Sequence, residues 1–214
     1  MKTSFHTLVA SCALLAAAHA SATTINFDNL AVGTTLSNQY AGVSFAANAF
    51  TGAGGPTGAW ATNTNMTIVS STGPDVGSLG TPSLVSGNLL RSFDGWLSEN
   101  GDPSFSVSFA SAINFFGADF AGVSTPGAVR IFAYDGNTLL GSSTGATTGQ
   151  FTLSFAAASF TRVVVTPGSF DDWVGVDNIT YTTAAAIPEP QTYALMALGL
   201  AAVALARRRA KARG

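Results

Sequence analysis

Between residues 23 and 186 the side chains able to do acid–base chemistry near neutral pH are ten carboxylates: Asp28, Asp75, Asp94, Glu99, Asp102, Asp119, Asp135, Asp171, Asp172 and Asp177. Against them stand three arginines, Arg91, Arg130 and Arg162, so this stretch carries a formal charge of −7. The single cysteine (Cys12), both histidines (His6, His19) and both lysines (Lys2, Lys211) lie outside it. A Ser-His-Asp triad, a Cys-His pair, a Schiff-base lysine and a His or Cys zinc site are therefore excluded there. Disulfides are excluded too. Paired carboxylates remain, as in glycoside hydrolysis, where one acid must be held neutral and its partner ionised. Asp94, Glu99, Asp102, Asp171 and Asp172 sit in FDG, ENGDP and SFDDW, which read as solvated turns. Nothing marks one carboxyl for burial and another for exposure, and the expectation is a protein that is not an enzyme.

Two binding chemistries remain. Asp28-Asn29 and Asp177-Asn178 offer carboxylate and amide oxygens of the kind that hard cations take, which makes Asp28 and Asp177 candidate calcium ligands. Asx residues at strand ends also make ordinary turns. Trp60 and Trp96 lie in Gly-, Asn- and Asp-rich surroundings typical of loops. Their rings could cover the C–H face of a sugar while Asp94 takes its hydroxyls. Trp173, Tyr40 and Tyr134 are further aromatic candidates. A surface this acidic and without lysine repels phosphate backbones, so no nucleic-acid partner is expected.

Short strands must position these groups. TINF, VSF, MTIV, FSVSF, VRIFAY, FTLSF, RVVV and ITY are rich in Val, Ile, Thr, Phe and Tyr. Clusters such as TGAGGPTG, STGPDVGSLGTP, ENGDP and YDGN separate them. In FSVSF, Phe105, Val107 and Phe109 share one side and Ser106 and Ser108 the other, the period of a strand with one buried face. Asp135-Gly136-Asn137 predicts a hairpin. The pattern predicts an all-β fold, a two-sheet antiparallel sandwich of jelly-roll type over residues 23–182. Residues 46–65 read as one long loop.

Hydropathy at both ends is different. Residues 1–22 place one lysine, an apolar run and then small residues in A-x-A order, which predicts a signal peptide cut after Ala20 or Ala22. Residues 183–187 form a small-residue linker. From Thr192 to Ala206 fifteen residues carry no charge; as a helix they would reach about 22 Å, against a hydrocarbon core of about 30 Å. The expectation is a short membrane helix at 192–206, with the basic end 207–213, led by Arg207, Arg208 and Arg209, held on the cytoplasmic side.

Pro188-Glu189-Pro190, followed by this apolar helix and the terminal arginine cluster, resembles the PEP-CTERM sorting signal of Gram-negative bacteria, here residues 188–213. The resemblance implies that an exosortase, a transpeptidase-like membrane protease, reads Pro188, Glu189 and Pro190, and that the inner membrane holds the tail only transiently. It further implies export to the cell envelope, outer surface or extracellular polysaccharide matrix. The two prolines are expected to hold the motif extended and outside the helix. INFDNLAVGTTLSNQYAGVSFAA and VGVDNITYT are similar to the first and last strands of β-sandwich modules that precede such tails. Some lectin-like sandwiches close in the same way, and often hold structural calcium near their termini. The sequence thus points to an exported, non-enzymatic β-sandwich sorted by exosortase. A secreted carbohydrate-binding module is the alternative.

Overall fold

A computed structural model describes residues 21–47, 62–63, 66–73, 83–91, 101–102, 104–168, 174–184 and 190–212. The chain divides into a β body, Ala20–Ala184, and a unit made of the chain ends, Met1–His19 and Ala185–Gly214. Of the expected signal peptide, residues 1–22, positions 1–20 lie outside the described residues, and Ala22 begins the first strand.

The body begins with β1 (Ala22–Ile25) and β2 (Val43–Ala47), then β3 (Thr62–Asn63), β4 (Thr67–Ser70), β5 (Asn88–Arg91) and β6 (Gly101–Asp102). Two long strands follow, β7 (Phe105–Val123) and β10 (Gly149–Thr166), with the hairpin of β8 (Arg130–Asp135) and β9 (Thr138–Thr144) between them. The body closes with β11 (Gly175–Thr183). The all-β, antiparallel expectation holds for the main sheet, while β3 and β6 form a separate parallel pair.

The sheet differs from the expected pair of separately bonded sheets. Nine strands form one continuous hydrogen-bonded network, because β7 and β10 each serve two leaves. Phe105 to Ser108 of β7 pair with Val165 to Arg162 of β10, and this ladder extends through β8 to β9 on one side and to β2 on the other. Farther along, Phe115 to Phe120 pair with Ala156 to Phe151, and β7 takes β11 as its other neighbour. Register shifts between Ala156 and Arg162 separate the two ladders. An extra residue in one strand bends it and increases its twist, so a long strand can turn from one leaf to the other without losing its pairing. For this reason FTLSF and RVVV, which read as two strands, are one.

Alternation decides what faces inward. Val43, Phe45, Phe105, Val107, Phe109, Ile131, Ala133, Val163 and Val165 are buried, and with Phe116, Phe120 and Ile179 of the other leaf they belong to one core. Phe27, Phe105, Phe116, Phe120 and Phe160 are completely covered. In a body without disulfides this apolar burial carries the stability, at about 25 cal/mol per Å². The hairpin turns at Gly136-Asn137 as expected, with Gly136 at φ 55°.

The tail forms one helix, α1 (Pro190–Lys211). It is longer than the expected 192–206 at both ends, and it takes in Pro190 together with Arg207, Arg208 and Arg209. Proline is tolerated in the first turn because its missing N–H would have no intrahelical partner there. The expectation that both prolines stay outside the helix is therefore corrected for Pro190; Pro188 and Glu189 lie outside the described residues. Among the described residues no helix is long and apolar enough to cross a membrane, which corrects the expected membrane span. The polar Gln191 and Thr192 and the arginines bound the uncharged run too closely. Leu195, Leu198, Leu200, Val203 and Leu205 are all exposed.

Candidate functional site

Asp28 follows β1 and Asp177 lies in β11, and the antiparallel pairing of those strands, Ile25 with Ile179, brings the two together. Each aspartate is flanked by a strained residue. Phe27 has φ 60° and Asn178 φ 47°, and β11 slips register between Asp177 and Thr180. A bulky residue at positive φ costs on the order of 1–3 kcal/mol, and such strain gathers at sites where a particular side-chain aim is required.

The two carboxylates hold the segment that leads into β5. Asp28 Oδ1 accepts the Asn88 N–H at 2.8 Å, and Asp28 Oδ2 accepts from Asn26 Nδ2 at 3.1 Å. Asp177 Oδ2 accepts the Ser86 N–H at 3.2 Å, and its Oδ1 accepts the Asn178 N–H at 2.7 Å. Asn178 Nδ2 donates to the Leu84 carbonyl at 3.2 Å and to Asp119 Oδ2 at 3.0 Å. Gln150 Oε1 accepts the Leu84 N–H at 2.6 Å, and Asn88 Nδ2 donates to the Leu30 carbonyl at 2.8 Å. Residues 84–88 are thus strapped across the body by groups from three different places in the sequence.

Asp177 is buried, and burial pushes its pKa up to about 6. The N–H donors of Asn178 and Ser86 oppose that rise, while the charges of Asp28 and Asp119 add to it. Burial also raises the Tyr40 phenol, as do the nearby charges of Asp28 and Asp177. The Tyr40 hydroxyl donates to Asn29 Oδ1 at 2.7 Å. Negative charge is therefore concentrated here under partial burial, an arrangement that a cation relieves.

The predicted pair Asp28 and Asp177 is brought together, and Asn29 and Asn178 stand beside it. Asp119, Ser86 and Asn88 were missed, since they come from segments with no motif of their own. Among the described residues no group of three or more His, Cys, Asp or Glu side chains is placed to hold a metal ion. A calcium ion here would have to complete its shell with carbonyl, amide or water oxygens, a set that hard cations accept.

The sugar-contact candidates Trp60, Asp94 and Trp96 lie outside the described residues, as does Trp173. Tyr40 packs edge-on against Phe27 and Phe45, with centroids 6.1 and 6.3 Å away. It also borders an open groove of about 420 Å³ with Asn38, Gly42, Val43, Ser108 and Phe109. Tyr134 lies on the outer side of β8, with the Arg162 guanidinium 4.2 Å above its ring centre.

An antiparallel all-β body followed by a helix with a basic end defines a β-rich protein with a terminal tail. Residues 186–209 match the PEP-CTERM protein-sorting motif, so the chain is a PEP-CTERM domain-containing protein. That motif implies exosortase-dependent sorting to the cell surface and membrane association of the tail. No curated protein matches the chain. Among solved structures, the K2 cleaved adhesin domain of Lys-gingipain (Kgp) is similar at 12% identity, over 76% of this chain and 100% of that one, with a TM-score of 0.47. A likeness at that level carries no argument about function.

Proposed function

We propose that this protein is an exported, non-enzymatic β-sandwich of jelly-roll type, delivered by a cleaved signal peptide and held at the inner membrane by its tail. Exosortase then processes the tail and releases the body to the outer surface or the extracellular polysaccharide matrix. The observation that carries this reading is the PEP-CTERM match at residues 186–209 lying over a helix whose apolar side chains are exposed and whose last turn is basic. Such a helix needs an apolar environment, which a membrane supplies, and its arginines favour anionic lipid headgroups.

Mass spectrometry of the protein recovered from the cell surface tests it. The expected chain ends near residues 186–190. A variant with Pro188, Glu189 and Pro190 all changed to Ala should keep its tail and stay with the inner membrane. A surface-exposed native protein with its arginines intact would overturn the processing step.

A second reading, a carbohydrate-binding module with structural calcium, is favoured by the two aspartates flanked by strained residues. Calcium at Asp28 and Asp177 would fix the strap at residues 84–88. Calcium titration monitored by melting temperature tests this, because a ligand bound only by the folded state raises stability. No shift at millimolar calcium would remove the ion from the proposal.

A further inference from the structure

The outer face of the leaf formed by β2, β7, β10, β8 and β9 can be read directly from the register. Residues 43, 45, 105, 107, 163, 165, 131 and 133 are buried in the core, so their alternates take the opposite side of the leaf; of these Val164 is itself covered, at 8% exposed. One row across the leaf is then Ser44, Ser108, Arg162 and Tyr134, and the next is Ala46, Ser106, Val164, Phe132 and Ser142. A third row holds Thr166, Arg130 and Thr144. Two of the body's three arginines therefore stand on this face, and the third, Arg91, is buried. In a body of charge −7 they are its only arginines that reach solvent from described positions.

Both guanidiniums are held. Arg162 lies over the Tyr134 ring and donates through Nη2 to the Gly136 carbonyl at 3.4 Å, and Arg130 donates through Nε to the Gly127 carbonyl at 3.0 Å. Stacking and a backbone anchor reduce the rotamer entropy lost on binding, while the remaining N–H groups of each planar fork stay available. Along β8, Arg130 is four residues from Tyr134, the partner of Arg162, and so about 13 Å away at the usual rise of a strand. One carboxylate or sulfate cannot bridge that distance. Phe132, partly exposed, lies between the two, and the β2 and β7 side of the face carries small Ser and Ala side chains.

From this we infer that the outer face of this leaf binds an anionic polysaccharide. Acidic groups repeated along the chain engage Arg162 and Arg130, and the sugar between them lies against Phe132. The inference rests on the carbohydrate-binding reading above and gives it a ligand class and a location.

Affinity electrophoresis of the full chain in detergent micelles tests it, with polygalacturonate, dextran sulfate or neutral dextran cast in the gel. We expect retardation by at least one of the anionic polymers and none by dextran, weakening as salt screens the charges. Replacing both residues (Arg130→Gln with Arg162→Gln) should weaken retention at least roughly tenfold, the scale of a lost charge-assisted hydrogen bond. Arg162→Lys should weaken it less, because charge is kept and only the fork is lost. Unchanged melting temperatures would show that the variants fold. Retention on dextran that ignores both arginines would overturn the anionic face while leaving carbohydrate binding intact. Absence of retention on all three polymers would overturn both. Retention on single-stranded DNA as tight as on polygalacturonate would mean that charge alone is read, which removes the sugar from the proposal.

Discussion

A Cβ added to Gly87 would fall on Asp28 Oδ1, the atom that accepts the N–H of the very next residue, Asn88. Gly87 also sits at φ 65°, where an L side chain is strained. Glycine is thus required twice at this point of the strap, by conformation and by the closeness of the carboxylate. Gly87→Ala is expected to destabilise the body by at least about 2 kcal/mol, through strain and the lost Asp28 contact together. Urea denaturation with an unchanged m-value checks this.

Asp177 sets an unusual pH dependence. Its folded pKa of about 6 is above the unfolded value of roughly 4, so the native state binds more protons between those limits. Its contribution is present below about pH 4 and is lost as pH rises through 6, on the order of 2–3 kcal/mol. In EDTA the melting temperature is therefore expected to fall from pH 4.5 to pH 7, and Asp177→Asn should flatten the curve. Millimolar calcium should reverse the trend if the ion binds, because the metal takes the deprotonated carboxylate. A curve that rises with pH in EDTA would contradict the burial of this group.

The mature N-terminus is expected at Ser21, from a cut after Ala20. Ala22 pairs with Thr182 as the first rung of the four-residue β1, and a cut after Ala22 would remove that rung. Intact mass of the exported protein distinguishes the two ends.

Phe120→Ala should cost about 3–5 kcal/mol, since the ring is fully buried, sits 6.1 Å from Phe151 and leaves a cavity on truncation. Phe132→Ala, on the outer face, should cost well under half as much. Similar losses for the two would mean that the outward direction assigned to Phe132 is wrong.

Local pattern made part of this molecule legible. FSVSF alternates, and Phe105, Val107 and Phe109 are buried as that alternation requires. YDGN reads as a turn because glycine tolerates positive φ, and it is one. The tail was readable from the order of its three parts. β5, NLLR, carried no alternation and was missed, because its side chains are covered on both faces.

What the chain encodes by itself is therefore composition, periodicity and the ends: an all-β body without thiol, imidazole or amine chemistry, and a terminal sorting motif. Both follow from near neighbours, since strand alternation and helix hydropathy act within a few residues. Tertiary structure alone decided that β7 and β10 cross between leaves, that Ser86 and Asn88 meet aspartates far away in sequence, and that Arg130 and Arg162 share one face. Those outcomes depend on register, and hydrogen bonding between distant strands fixes register only when the whole sheet closes over its core.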